Sequence, residues 1–123
     1  MKEKESYLEC LDEIFNSLGQ EISVCLPDEE DEQTKSETSE VETRESISRA
    51  LVLLLKQQIV LRLCKLLMYA NIYDGWLENV IESAQAELQL EISLTNRLRQ
   101  DMITYLSELK ERLISYSTEN ANK

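Results

Sequence analysis

Histidine is absent from this chain of 123 residues, and proline and glycine are scarce, with one and two residues. Without histidine, the chain lacks the side chain most used for acid–base chemistry near neutral pH and the commonest metal ligand. So few turn residues do not suit a β-fold, whereas 42% hydrophobic residues suffice for one modest core. These absences predict a single all-α domain.

Catalytic motifs are also missing. The sequence contains no G-x-S-x-G, no glycine-rich phosphate loop and no cluster with metal-ligand spacing. Glu78 and Glu82 lie one helical turn apart, but with Asp74 they are typical of a solvated or ion-pairing face. We therefore expect no enzymatic activity, no cofactor, no metal and no small-molecule substrate.

The cysteines and the apolar runs bear on the compartment. Cys10, Cys25 and Cys64 are far apart, and an odd number without a signal peptide favours reduced thiols in an intracellular protein. The longest apolar run, residues 50–55, is far shorter than the roughly 20 residues of a membrane span. The sequence predicts a soluble protein of the cytoplasm or nucleus, without membrane partners.

Acidic residues dominate the chain, whose net charge is −11, but their distribution is uneven. Residues 46–73 carry four bases (Arg49, Lys56, Arg62, Lys65) and no carboxylate, whereas residues 1–45 carry fifteen carboxylates and four bases. The overall charge makes nucleic acid an unlikely partner. The basic central segment between two acidic ones indicates electrostatics within the protein or at an interface with another.

Apolar periodicity predicts three helices. The first occupies residues 1–26, with Gly19 as a weak point near its end. The second, residues 46–73, has Ser46 or Thr43 as its N-cap and is apolar on nearly all sides, so Leu54 and Leu61 are expected to be covered. Asp74–Gly75 then makes a turn, with Asp74 as a possible cap for the third helix, residues 76–116, in which no Gly or Pro intervenes. A frayed tail, residues 118–123, follows.

These elements define the expected architecture: a long antiparallel helical hairpin (46–117) plus an N-terminal helix, with coiled-coil character. The heptad pattern is imperfect, because Glu91, Thr95 and Arg112 occupy positions that a strict coiled coil would fill with leucine. Acids in the first half of the last helix would then lie near Arg62 and Lys65. Those bases either set the register within the chain or face a partner.

Residues 27–45 form a polar, acidic segment that we predict to be a disordered linker, because it has too little apolar surface to offset its ordering entropy. Thr34 and Ser39 each precede a glutamate by three residues, a pattern that acidophilic kinases favour. The segment is either a phosphorylated regulatory tract or a simple solvated tether.

The third helix is expected to be longer than the second and to project beyond it. Its projecting face carries large apolar side chains, which we predict to bind another chain: Leu98, Met102, Leu106, Leu109 and Leu113. Tyr73 and Trp76, at the tip of the hairpin, are either a recognition site or a plug for the open end of the bundle. Arg97 and Arg99 form surface salt bridges or, as the less favoured alternative, contact phosphate.

Two functions fit these observations. The first is a non-catalytic scaffold or adaptor subunit that assembles with other helical chains, as a hetero-oligomer rather than a homodimer. The second is an acidic binding antagonist or chaperone, such as a nucleic-acid mimic, a histone-type chaperone or an immunity-type inhibitor, that engages a basic partner through residues 28–45.

Overall fold

The computed structural model describes residues 2–26 and 40–121, and within these ranges it contains four α-helices and no strand. They are α1 (Lys2–Cys25), α2 (Glu40–Tyr69), α3 (Trp76–Leu90) and α4 (Asn96–Ala121). The predicted all-α class is confirmed. Residues 27–39, which include Thr34 and Ser39, lie outside the described ranges.

Several predicted boundaries differ from the structure. α2 starts at Glu40, so residues 40–45 of the predicted linker are helical and neither Thr43 nor Ser46 is its N-cap. α4 extends to Ala121, which includes residues that were expected to fray. The Asp74–Gly75 turn is present, but the N-cap of α3 is Gly75, at φ 84°, without a side-chain cap from Asp74. Only glycine adopts such a φ without strain.

The prediction of one continuous last helix is wrong. The chain leaves the helical conformation after Leu90 and resumes it at Asn96. The apolar periodicity runs across this break because both helices present their apolar sides to the same core. The short α3 can therefore fold back along α4.

The helices run alternately up and down. α1 is antiparallel to α2, because Lys4 Nζ reaches the carbonyl of Ala70 (3.5 Å) while Gln57 Nε2 donates to the carbonyl of Phe15 (3.2 Å). α3 is likewise antiparallel to α4, since Gln85 Nε2 donates to the carbonyl of Ile103 (2.9 Å). α1 packs against both α2 and α4.

The predicted close-packed hairpin does not form. Among the described residues, no Cα atom of α2 lies within 8 Å of a Cα atom of α3. α2 instead packs against α1, so the side of the bundle between α2 and α3 stays open.

The core lies where α1, α2, α4 and the start of α3 meet. It contains residues from all four helices: Tyr7, Cys10, Leu11, Ile14 and Leu18 of α1, Leu53, Val60, Leu63 and Leu67 of α2, Trp76, Leu77 and Ile81 of α3, and Met102, Leu106, Leu109 and Leu113 of α4. The four α4 residues are at most 2% exposed. The expectation that this face of α4 lacks an intrachain partner is wrong, because α1 and α3 cover it.

The outer side of α2 is the part of the helix that the bundle does not cover. Leu54 and Leu61, which were expected to be buried, are 39% and 36% exposed, and Leu51 is 55% exposed. The prediction that α2 is covered on all sides is therefore wrong. Among the described residues, exposed large apolar side chains are therefore more numerous on α2 than on α4, where Ile114 is 37% exposed.

Candidate functional site

Most of the exposed large apolar side chains described on α2 lie on one face of the helix, which we name the α2 stripe. It comprises Ile47, Leu51, Leu54, Leu61 and Met68, with the exposed polar residues Gln58 and Lys65 completing the pattern. Successive members are four and three residues apart in strict alternation, so they lie on one face of the helix over about six turns. This alternating spacing is typical of the residues through which one helix packs along another in a coiled coil.

The charged side chains that α2 itself contributes between residues 46 and 69 are all basic. Lys65 lies within the stripe, and Arg62 lies at the edge that faces α3, where it forms an ion pair with Glu87 (3.6 Å). Both side chains of this pair are largely exposed, so the pair stabilises the fold by only about 0–1 kcal/mol. The sequence led us to expect that acids of the last helix lie near Arg62, and this pair joins α2 to α3. The backbones of the two helices are nevertheless not in close contact.

An apolar groove of about 380 Å³ separates α2 from α3, next to the edge marked by Arg62. Its walls are mainly apolar side chains: Ile59, Leu63 and Leu66 from α2, Val80, Ala84 and Leu88 from α3, and Leu106 from α4. Leu66 is also substantially exposed. The groove and the stripe thus lie on two neighbouring sides of α2, and both are lined mainly by apolar side chains.

The predicted partner-binding residues occupy different environments. Leu98 is half-buried, and Met102, Leu106, Leu109 and Leu113 belong to the core. The two residues predicted at the hairpin tip differ in exposure, because Trp76 is 5% exposed and packs in the core, whereas Tyr73 is 56% exposed. The Tyr73 hydroxyl accepts a hydrogen bond from Asn79 Nδ2 (3.2 Å). The two residues therefore do not act as one unit, because Trp76 is buried and Tyr73 is accessible.

The two arginines of α4 differ sharply. Arg97 is exposed, but Arg99 is half-buried and its guanidinium donates to the backbone carbonyls of Leu88 (3.0 Å), Glu91 and Leu94 (3.1 Å). Carbonyls at the end of a helix have no partners within the helix, and a cation there also interacts favourably with the helix dipole. Arg99 therefore closes the α3–α4 turn, a role that differs from a surface salt bridge.

The remaining polar groups of that turn are also satisfied locally. Glu91 Oε1 accepts hydrogen bonds from the backbone N–H (3.3 Å) and the hydroxyl (2.9 Å) of Ser93, which lower the pKa of Glu91. Thr95 caps α4, because its hydroxyl oxygen accepts a hydrogen bond from the N–H of Leu98 (3.2 Å).

Cys10 and Cys64 lie in the core and at its border, respectively. Burial raises the pKa of the Cys10 and Cys64 thiols, which disfavours the nucleophilic thiolate, and all three cysteines are free. Within the described ranges no group of three or more His, Cys, Asp or Glu residues could hold a metal ion.

Tyr105 provides a test of how α2 and α4 pack. Burial raises its pKa to about 12, and Lys56 Nζ lies 4.9 Å from the ring centroid. An unfolded tyrosine ionises near pH 10, so between about pH 10 and 12 the unfolded chain loses a proton that the folded chain keeps. We expect stability to fall as the pH rises through this window.

An ultraviolet titration of the folded protein checks this prediction. Part of the phenolate absorbance should appear only near pH 12, and Tyr105→Phe should reduce that late component. Ionisation of every tyrosine in a single step near pH 10 would contradict the packing of α4 against α2.

Comparisons of this chain with protein-family models, with curated proteins and with solved structures find no match. The described helices include none that is long and apolar enough to cross a membrane.

Proposed function

We propose that this protein is a non-catalytic helical adaptor subunit that joins a larger intracellular assembly by packing the α2 stripe against a helix of another chain. The observation that supports this proposal is the stripe itself, in which five large apolar side chains remain accessible on one helix face. Exposed apolar side chains that cluster on one face and are bordered by polar residues are typical of an interaction surface.

The rest of the fold is consistent with a rigid support for that surface. α1 and α4 bury the opposite side of α2, including Leu53, Val60 and Leu67, so the helix is held in place before a partner arrives. A preorganised face loses less conformational entropy on binding than a disordered one. A hetero-oligomer is favoured over a homodimer, because a second copy would bring the same bases to the interface.

A double substitution tests the proposal without disturbing the core. Leu51→Glu with Met68→Glu places two carboxylates on exposed positions in the first and last parts of the stripe, so the helical signal and the midpoint of unfolding should change little. Affinity purification from the native source, followed by quantitative mass spectrometry, should recover partner chains with the wild type and lose them with this variant.

The control adds the same charge elsewhere. Gln20→Glu with Gln89→Glu alters two exposed polar positions on α1 and α3 and should retain every partner. Partners that remain bound to the stripe variant, or that are lost equally with the control, would contradict the proposal.

A further inference from the structure

The two rows of the α2 stripe differ in chemistry. In one row, residues seven apart are all apolar: Ile47, Leu54, Leu61 and Met68. In the other, Leu51 is followed by Gln58 and Lys65 at the same interval. A polar or charged residue in a seam row destabilises most partners and selects those that can pair with it.

A second copy of this chain is a poor match for that row. Parallel, in-register pairing would place Lys65 against Lys65 in a desolvated seam, and like charges there repel. Antiparallel pairing would place Lys65 against an apolar residue and leave its charge unpaired. A carboxylate on the partner removes both penalties.

The charges beside the α2 stripe indicate at which of its two edges a partner's carboxylates would be attracted. Arg62 lies at the edge of the stripe facing α3, and its exposed pair with Glu87 can be replaced by a partner's carboxylate. At the opposite edge Asp12 of α1 lies near Cys64, where its charge acts on the thiol. No carboxylate lies on α2 between residues 46 and 69, so every charged side chain that this part of α2 contributes is basic.

We infer that the occupant of the α2 stripe is an acidic amphipathic helix of a different chain, with apolar side chains in two rows and carboxylates that meet Lys65 and Arg62. This inference rests on the proposed function, since it names the partner chemistry of the same surface. The whole chain has a net charge of −11, and its acidic residues outside 46–73 repel an acidic helix. Such a partner should therefore bind at α2 rather than elsewhere on the chain.

Two synthetic helices test the inference. Each is about four heptads long with isoleucine and leucine in the seam; one carries glutamate at all flanking positions and the other carries lysine. Binding to the full chain is measured by fluorescence anisotropy at about 50 mM and about 300 mM salt. We expect the acidic peptide to bind at least about tenfold more tightly than the basic one, and salt to reduce this difference.

Charge reversal supplies the decisive control. In the variant with Lys65→Glu and Arg62→Glu, the basic peptide should bind more tightly than the acidic one. Asp12→Asn should strengthen binding of the acidic peptide only slightly. Leu51→Glu with Met68→Glu should abolish binding of both peptides. Circular dichroism verifies that each variant keeps the wild-type helical signal.

The possible results distinguish a failure of the acidic-partner inference from a failure of the proposed adaptor function. Equal binding of the two peptides would overturn the acidic partner and leave a stripe that docks helices without charge selection. Failure of both peptides to bind at about 100 μM overturns the inference, while the proposed function is decided by its own purification experiment. Sedimentation that shows a dimer of this chain, lost in Leu51→Glu with Met68→Glu, would identify a second copy as the occupant.

Discussion

Replacing Leu109 of α4 with alanine should lower the free energy of unfolding by about 2–5 kcal/mol. The side chain is 2% exposed and belongs to the core cluster that residues of all four helices form, so its truncation loses buried apolar groups and leaves a cavity. A domain of this size has a total stability of only about 5–15 kcal/mol. Chemical denaturation followed by circular dichroism at low protein concentration measures the loss.

Leu51→Ala is the matched control, with the same residue change on an exposed helix position. It should cost less than about 1 kcal/mol. The double variant Leu106→Glu with Leu109→Glu should not fold, because unpaired carboxylates would be buried. A folded, helical double variant that merely leaves a complex would instead show that this face of α4 is an interface, as the sequence suggested.

The helices themselves are predictable from the sequence, because amphipathic spacing and scarce turn residues constrain them locally. The spacing of Tyr7, Leu11, Ile14 and Leu18 predicts α1 nearly to its observed ends, even though Gly19 interrupts the favourable residues. A Cβ at Gly19 would lie 3.4 Å from Gln57 Nε2, an ordinary van der Waals contact, so the packing of α1 against α2 does not require glycine at this position. The helical class follows from such local rules.

Which face of each helix is covered could not be predicted in the same way. α2 and α4 both carry enough leucine for burial, and the sequence does not state which of them α1 and α3 pack against. One straight helix of about 40 residues, packed along α2, would have left Leu109 without a partner in the chain and would have buried Leu54. The alternating spacing from Ile47 to Met68 was a signal for the α2 stripe, but periodicity alone does not distinguish an exposed seam from a buried one.

The α3–α4 turn was missed for a related reason. Residues 92–96, Ile-Ser-Leu-Thr-Asn, include two β-branched residues, and the Ser, Thr and Asn side chains favour caps over helix interiors. Their weak helix propensity was a local signal, and the apolar period that continues across them concealed it. The structure then assigns to Arg99 a role that neither composition nor spacing reveals.

Arg99→Ala should destabilise the protein by about 2–3 kcal/mol, the second large effect that we expect. The guanidinium donates to the carbonyls of Leu88, Glu91 and Leu94 and to Asn96 Oδ1 (2.7 Å), so its loss removes four charge-assisted hydrogen bonds at once. Lysine retains the charge but not the planar fork, so Arg99→Lys should recover only part of the stability.

Arg97→Ala is the control for Arg99→Ala, since Arg97 lies two residues away on the exposed side of the same helix and should change stability by less than about 0.5 kcal/mol. Hydrogen exchange locates the effect: the amides of Glu91 and Leu98, which bond to Leu88 O and Thr95 Oγ1, should lose protection in Arg99→Ala before those of α1. Equal stability losses for Arg97→Ala and Arg99→Ala would mean that the guanidinium of Arg99 does not hold α3 against α4. The break after Leu90 would then depend on its cap residues alone, and Thr95→Ala would become the more damaging change.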